Sequence, residues 1–205
     1  MVKFTLVAAL LASVALVPAE PLAAQAAVAG QAGGDKKAES TGKVGEMLPN
    51  ISANLVRGDK SSTVETAKLG KPAVFILVGV TCPATKPYAE RLAALEKAYS
   101  EKGVDFVYVY TNVPEKAEMK AAFHKECKFA GAFWNDEKAA FAKAIKAGKT
   151  GEAIIVGKDG KVMYRGGIDD SPGDATKAKE KYVANALDEL LAGKEITKRN
   201  TMPAG

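Results

Sequence analysis

The segment Cys82-Pro83-Ala84-Thr85 carries the residue types for sulfur chemistry in this 205-residue chain. It follows the apolar run AVFILVGV at residues 73–80, which Lys71-Pro72 bounds and whose unbroken hydrophobicity marks a strand buried on both faces. It precedes Tyr88, Leu92, Leu95 and Tyr99, a helical spacing with one apolar stripe. A reactive group in an open α/β sheet belongs beyond the carboxyl ends of the strands, and Cys82 stands there. Pro83 suits the first position of the helix, so unpaired amide N–H groups and the positive dipole end favour thiolate over thiol at Cys82. Lys86, one turn on, is expected to add to that effect. The chemistry this predicts is nucleophilic attack by sulfur, either on a disulfide or on a peroxide with passage through a sulfenic acid. The alternative of a buried, inert cysteine fits the position and the following proline less well.

Other residues of chemical interest are read as structural. Cys127 follows a helix over about 115–125 that returns from the active end of the sheet. This places Cys127 at the opposite end, on the order of 15 Å from Cys82 for strands of about five residues. Bridging needs Cα atoms within about 7 Å, so no internal disulfide is expected. His124 is the single histidine and packs or faces solvent beside Phe123. Trp134-Asn135-Asp136 closes a strand, Tyr88 belongs to the core with its hydroxyl within reach of the site as the alternative, and Asp169-Asp170 forms a turn. One His and two scattered Cys make a zinc site improbable, and no metal is expected.

The elements that position Cys82 follow from patterning. Residues 51–56 and 63–64 read as extended pieces around the turn Arg57-Gly58-Asp59-Lys60. Gly103 stops the first helix, and VDFVYVY at 104–110 is a second buried strand. Pro114 opens the next helix, which Met119, Ala122 and Phe123 turn inward. A weaker strand at 129–134 and a helix at 137–147 come next. Strands at 153–156 and 161–165 are joined through Asp159-Gly160, read as a two-residue hairpin turn. Tyr182, Val183, Ala186, Leu187, Leu190 and Leu191 line the last helix, capped by Gly193. The order predicts an α/β fold with a mixed central sheet and helices on both faces.

Ahead of this domain, Lys3, the apolar stretch 4–17 and Ala24-Gln25-Ala26 have the form of a secretory signal peptide over 1–26. Residues 27–45, rich in Ala, Gly, Lys, Ser and Thr, read as a flexible linker, leaving 46–205 as the domain. The chain is then periplasmic or secreted, its cysteines meet an oxidising compartment, and no transmembrane segment follows the leader. The net charge of +5 is spread along the chain, a solvated basic surface and not a nucleic-acid site.

The element strand–Cys82-Pro83-x-x–helix and the closing hairpin resemble the thioredoxin-like redoxins, a group that includes the alkyl hydroperoxide reductase/thiol-specific antioxidant proteins. CPATKPYAERLAALEKAYSEKGVDFVYVYTN and KDGKVMYRGGIDD are particularly similar to an exported branch. The resemblance covers roughly residues 45–193 and implies a thioredoxin-like three-layer fold with Cys82 as redox nucleophile. Three positions depart from the pattern. Thr85 stands where a dithiol enzyme has its second cysteine. Gly79 stands where peroxiredoxins carry a Thr or Ser, with Thr81 next to the cysteine instead. Gly151, in Lys149-Thr150-Gly151-Glu152, stands in place of the cis-proline.

The expected function is therefore an exported thiol-dependent oxidoreductase, a disulfide exchanger or peroxiredoxin-like antioxidant. Cys82 acts with Thr85, supported by Thr81, Pro83, Lys86, Tyr88 and Gly151. A thiol or disulfide protein or a small thiol is its partner, and no cofactor is expected. The alternative is a catalytically degenerate thioredoxin-fold binding module.

Overall fold

The computed structural model describes residues 41–203. In chain order the elements are β1 (Ser52–Arg57), β2 (Lys60–Glu65), β3 (Ala73–Val78), α1 (Thr85–Ser100), β4 (Asp105–Tyr110), α2 (Ala117–Glu126), β5 (Ala132–Asn135), α3 (Ala140–Ala144), β6 (Ala153–Val156), β7 (Val162–Gly166) and α4 (Tyr182–Leu191). One seven-stranded sheet runs β2-β1-β5-β4-β3-β6-β7. β3, β4 and β5 are parallel to one another, while β6 and β7 turn antiparallel on one side and β1 and β2 on the other.

β3 is buried along its whole length because both of its faces are covered. Val74, Ile76 and Val78 face Tyr88, Leu92 and Tyr99 of α1, Phe123 of α2, and Val183 and Leu187 of α4. Phe75 and Leu77 face the other way, onto Phe141 of α3 and Ile145. These two apolar layers are the helices-on-both-faces arrangement that the patterning predicts. Leu92 sits in the middle of the larger layer, where truncation to Ala costs about 2–5 kcal/mol.

Several local expectations change. The β6–β7 connection is not a two-residue turn: Gly160 N donates to Gly157 O at 2.9 Å, and Gly157 N donates to Lys161 O at 2.9 Å. Gly160 takes a positive φ of 82° inside a three-residue loop, the turn-plus-bulge solution in which Asp159-Gly160 serves equally well. A Cβ on Gly160 would lie 2.2 Å from Ala67 O, so the position also needs glycine for space. β5 starts only at Ala132, because Phe129 leaves the strand direction to stack on Tyr108 at 3.9 Å between ring centroids. The helix expected at 137–147 is a 3-10 turn (Glu137–Ala139) followed by the short α3, broken where Lys138 and Ala139 adopt positive φ. Asp136 accounts for the restart, accepting from Phe141 N at 2.9 Å and Ala142 N at 3.0 Å.

The expected leader lies outside the described residues. Residues 41–45, the last of the expected linker, are held against the domain: Glu46 accepts from Thr41 N at 3.0 Å, and Gly45 N donates to Val162 O at 2.8 Å. The far edge of the sheet carries a segment that patterning did not predict. Asn200 pairs in parallel with Arg165, and Thr201 Oγ1 lies 2.6 Å from Tyr164 Oη.

Candidate active site

Cys82 lies past the carboxyl end of β3, partly exposed, and begins the turn into α1. Its own N–H donates to Gly79 O at 3.4 Å, and its carbonyl accepts from Thr85 N at 3.2 Å. Pro83 and Ala84 form this turn, so the regular helix starts at Thr85, two residues later than Pro83 suggests. Pro87 falls in the first turn of α1, where a missing N–H leaves no helix bond broken.

The groups around the sulfur are hydrogen-bond donors. Thr150 Oγ1 donates to Cys82 Sγ at 2.8 Å. Burial pushes the Cys82 thiol up. The Thr150 hydroxyl, the Ala84 N–H, the Thr85 hydroxyl and the Thr85 N–H outweigh it, and the thiol lies below its ordinary value. Thr85 is buried and bifunctional, its hydroxyl accepting from Gly79 N at 3.3 Å while also serving the sulfur. The residue in the place of a second thiol therefore stabilises the first one electrostatically.

The other predicted residues divide. Thr81 is brought to the site, but its N–H (2.9 Å) and hydroxyl (2.8 Å) both donate to Glu115 Oε1. Gly151 lies one residue from Thr150, at a φ of 79°, and donates its N–H to Leu77 O at 2.7 Å. Lys86 does not serve Cys82. Its ammonium meets Glu126 Oε1 at 2.9 Å, and that bond raises its pKa. Tyr88 is in the core, and its hydroxyl donates away from the site, to Asp169 Oδ1 at 3.0 Å. Arg91 covers the Tyr88 ring at 4.1 Å and pairs with Asp169 Oδ2, so Asp169 is a structural anchor.

Sequence reasoning missed Thr150 as a site residue, although it identified the segment that carries it. It also missed Glu115, which follows β4 and accepts from Val80 N at 3.1 Å, both groups of Thr81, and Asn112 Nδ2 at 2.9 Å. Burial pushes the Glu115 carboxyl up, but these four donors hold it below the usual carboxylate range. The positions of Pro114 and Glu115, just past a strand end, were the available signal.

Cys127 is the C-cap of α2, a free thiol like Cys82, buried in the larger apolar layer. Burial, with the Glu126 charge, pushes it up to about 11, leaving it a poor nucleophile at neutral pH. The last turn of α2 is tied to the first turn of α1 through Lys86–Glu126. Buried His124 donates from Nε2 to Gly131 O at 3.2 Å and accepts at Nδ1 from Tyr110 Oη at 3.3 Å. Among the described residues no cluster of three or more His, Cys, Asp or Glu has the form of a metal site.

Comparison with known proteins places this arrangement. An uncharacterized conserved protein from Geobacillus kaustophilus is similar at 27% identity and a TM-score of 0.70, over 78% of this chain and 88% of that one. An uncharacterized thioredoxin-like protein from Porphyromonas gingivalis is similar at 19% identity and 0.55, over 71% and 92%. A secreted Mycobacterium tuberculosis disulfide oxidoreductase homologous to E. coli DsbE is similar at 14% and 0.52, over 68% and 95%. No curated protein matches the chain. The fold is thioredoxin-like, and the Redoxin family matches residues 43–184, a span that includes both Cys82 and Thr150. The chain belongs to the Redoxin family.

Proposed function

We propose that this protein is an exported thiol-dependent oxidoreductase in which Cys82 attacks a disulfide and an outside thiol completes the cycle. The observation that carries the reading is the Thr150 Oγ1–Cys82 Sγ hydrogen bond of 2.8 Å, seconded by three further donors to the same sulfur. The Cys82 thiolate attacks one sulfur of a partner disulfide, forming a mixed disulfide and releasing the other partner sulfur as a thiolate. A second thiolate then attacks the partner's sulfur, and Cys82 leaves as the thiolate that the four donors already favour. The external thiol ends oxidised, paired with the partner's sulfur. Thr85 has no sulfur for an internal second attack, and Cys127 is held protonated.

Peroxide reduction is the less favoured use of the same thiolate. Gly79 presents no hydroxyl toward Cys82, although a Cβ there would stand 3.5 Å from Cys82 Cβ. Support for export comes from the composition of residues 1–26, and the secreted oxidoreductase among the structural relatives accords with it. Among the described residues no helix is long and apolar enough to cross a membrane.

The test is alkylation of Cys82 against pH, combined with reduction of a model disulfide with and without glutathione. The expected result is a Cys82 pKa below the model thiol's roughly 8.5 and turnover that requires the added thiol. Cys82→Ser removes both. A thiol with ordinary pKa and no turnover under any thiol would transfer the chain to the binding-module reading, which the occupation of the second-cysteine place by buried Thr85 also fits.

A further inference from the structure

We propose that Glu115 is the positioning residue of this site: from the segment after β4 it fixes the 79–82 turn so that Cys82 Sγ meets the Thr150 hydroxyl. The inference rests on the reading of Cys82 as a working thiolate. Val80 and Thr81 lie in the three-residue connection between β3 and Cys82, and neither N–H is used by the sheet or by α1. Both donate to the Glu115 carboxylate, at 3.1 Å and 2.9 Å, and the Thr81 hydroxyl adds a third bond at 2.8 Å. Asn112, three residues before Glu115, braces the carboxylate from behind at 2.9 Å and reaches Thr81 Oγ1 at 3.4 Å. Consecutive N–H groups aimed at one carboxylate define the path of that backbone, as a capping residue does at a helix start.

Three side chains meet at the turn. A Cβ on Gly79 would stand 3.5 Å from both Cys82 Cβ and Thr150 Cγ2, and 3.7 Å from Glu115 Oε1. The side chains of Cys82, Thr150 and Glu115 thus converge on one glycine, and a shift of the turn moves Cys82 relative to Thr150. Glu115 is 7% exposed, and its charge is offset by buried Lys120, which also donates to Asn135 Oδ1 at 2.9 Å. Glu115 touches no sulfur in this arrangement; it acts through the backbone.

Position and charge make opposite predictions here. A carboxylate acting only as a nearby negative charge raises the pKa of a thiol, so removing it lowers that pKa. A carboxylate that holds the turn in place lowers it indirectly, so removing it raises the pKa. Glu115→Gln keeps the shape but loses the charge and one acceptor oxygen. The Cys82 pKa, read by alkylation rate against pH, should rise by about one unit, slowing alkylation at pH 7 by up to roughly tenfold. Asn112→Ala and Thr81→Val, which loosen the same clamp without removing the charge, should shift it the same way by smaller amounts. A second readout guards against misfolding: the amide resonances of Val80 and Thr81 should move upfield as their charged acceptor is lost, while those of the remote β6–β7 loop stay in place. A fall in the Cys82 pKa, or no change in it despite moved Val80 and Thr81 resonances, overturns the positioning role. An ordinary Cys82 pKa in the wild type, together with no turnover, instead overturns the oxidoreductase reading.

Discussion

Thr150 and Cys82 are 68 residues apart in the chain, and the threonine hydroxyl donates to the cysteine sulfur at 2.8 Å. The pairing joins the connection ahead of β6 to the one after β3, neighbours in the sheet. Thr150→Val preserves volume and removes the donor. The Cys82 pKa should rise, and thiolate-dependent alkylation at pH 7 should slow by roughly threefold to tenfold. Thr150→Ser should stay near wild type. Equal rates for the valine and serine variants would show that the hydroxyl does not activate the sulfur.

Thr85→Cys places a thiol one turn along from Cys82. Thr85 N donates to Cys82 O at 3.2 Å, a closed four-residue turn whose end Cα atoms fall within the reach of a disulfide. Oxidation should yield an internal 82–85 disulfide, and disulfide reduction should no longer depend on glutathione. Peptide mapping under non-reducing conditions reads the first outcome, and a single turnover of the pre-reduced variant on a model disulfide without added thiol reads the second. Failure to form that disulfide would contradict the turn geometry.

His124 supplies a pH dependence. Burial pushes its imidazole down to about 4 from an ordinary 6.5, against the bond to Gly131 O. Because the folded pKa is depressed, the unfolded chain takes up the proton first. Stability is complete above about 6.5 and is lost as pH falls from there toward 4, by on the order of 3 kcal/mol. Urea denaturation at pH 7.5 and pH 4.5 measures the difference. His124→Gln should be less stable at pH 7.5 and show a smaller loss on acidification. An unchanged pH slope in that variant would assign the loss to other groups.

Gly160→Ala tests the β6–β7 loop. The added methyl meets Ala67 O at 2.2 Å and sits on a backbone with φ of 82°. The variant should lose at least about 2 kcal/mol, seen as a lower Tm, with the Cys82 pKa unchanged. A Tm equal to wild type would mean that the loop relaxes freely.

The sheet and its main helices were legible because their signals are local. AVFILVGV needs no partner to announce a strand covered on both faces, and the four-three-four spacing of Tyr88, Leu92, Leu95 and Tyr99 needs none to announce α1. The position of Cys82 just past that strand was legible for the same reason. What surrounds the sulfur was not, since Thr150 comes from 68 residues away and Glu115 reaches Thr81 across 34. Lys86 shows the reverse error: nearness in sequence suggested a partner for Cys82, and an ion pair with Glu126, 40 residues on, claims it instead. The break at Lys138 and Ala139 follows from Asp136 reaching forward to Phe141 and Ala142, which composition does not display. The segment at Thr201 carries no periodicity, and its place on β7 comes from hydroxyl bonds to Tyr164 and Gly167.

Every group identified as lowering the Cys82 pKa is a neutral dipole: two hydroxyls and two backbone N–H groups. An ammonium several ångströms away would hold a thiolate by a field that dissolved ions weaken, with a screening length of about 8 Å at physiological ionic strength and about 3 Å at 1 M. Neutral hydrogen-bond donors carry no net charge for dissolved ions to screen. The proposed nucleophile should therefore be buffered against salinity, with the same Cys82 pKa expected in dilute and in concentrated electrolyte. Any change in rate with added salt would then arise in the approach of a charged partner.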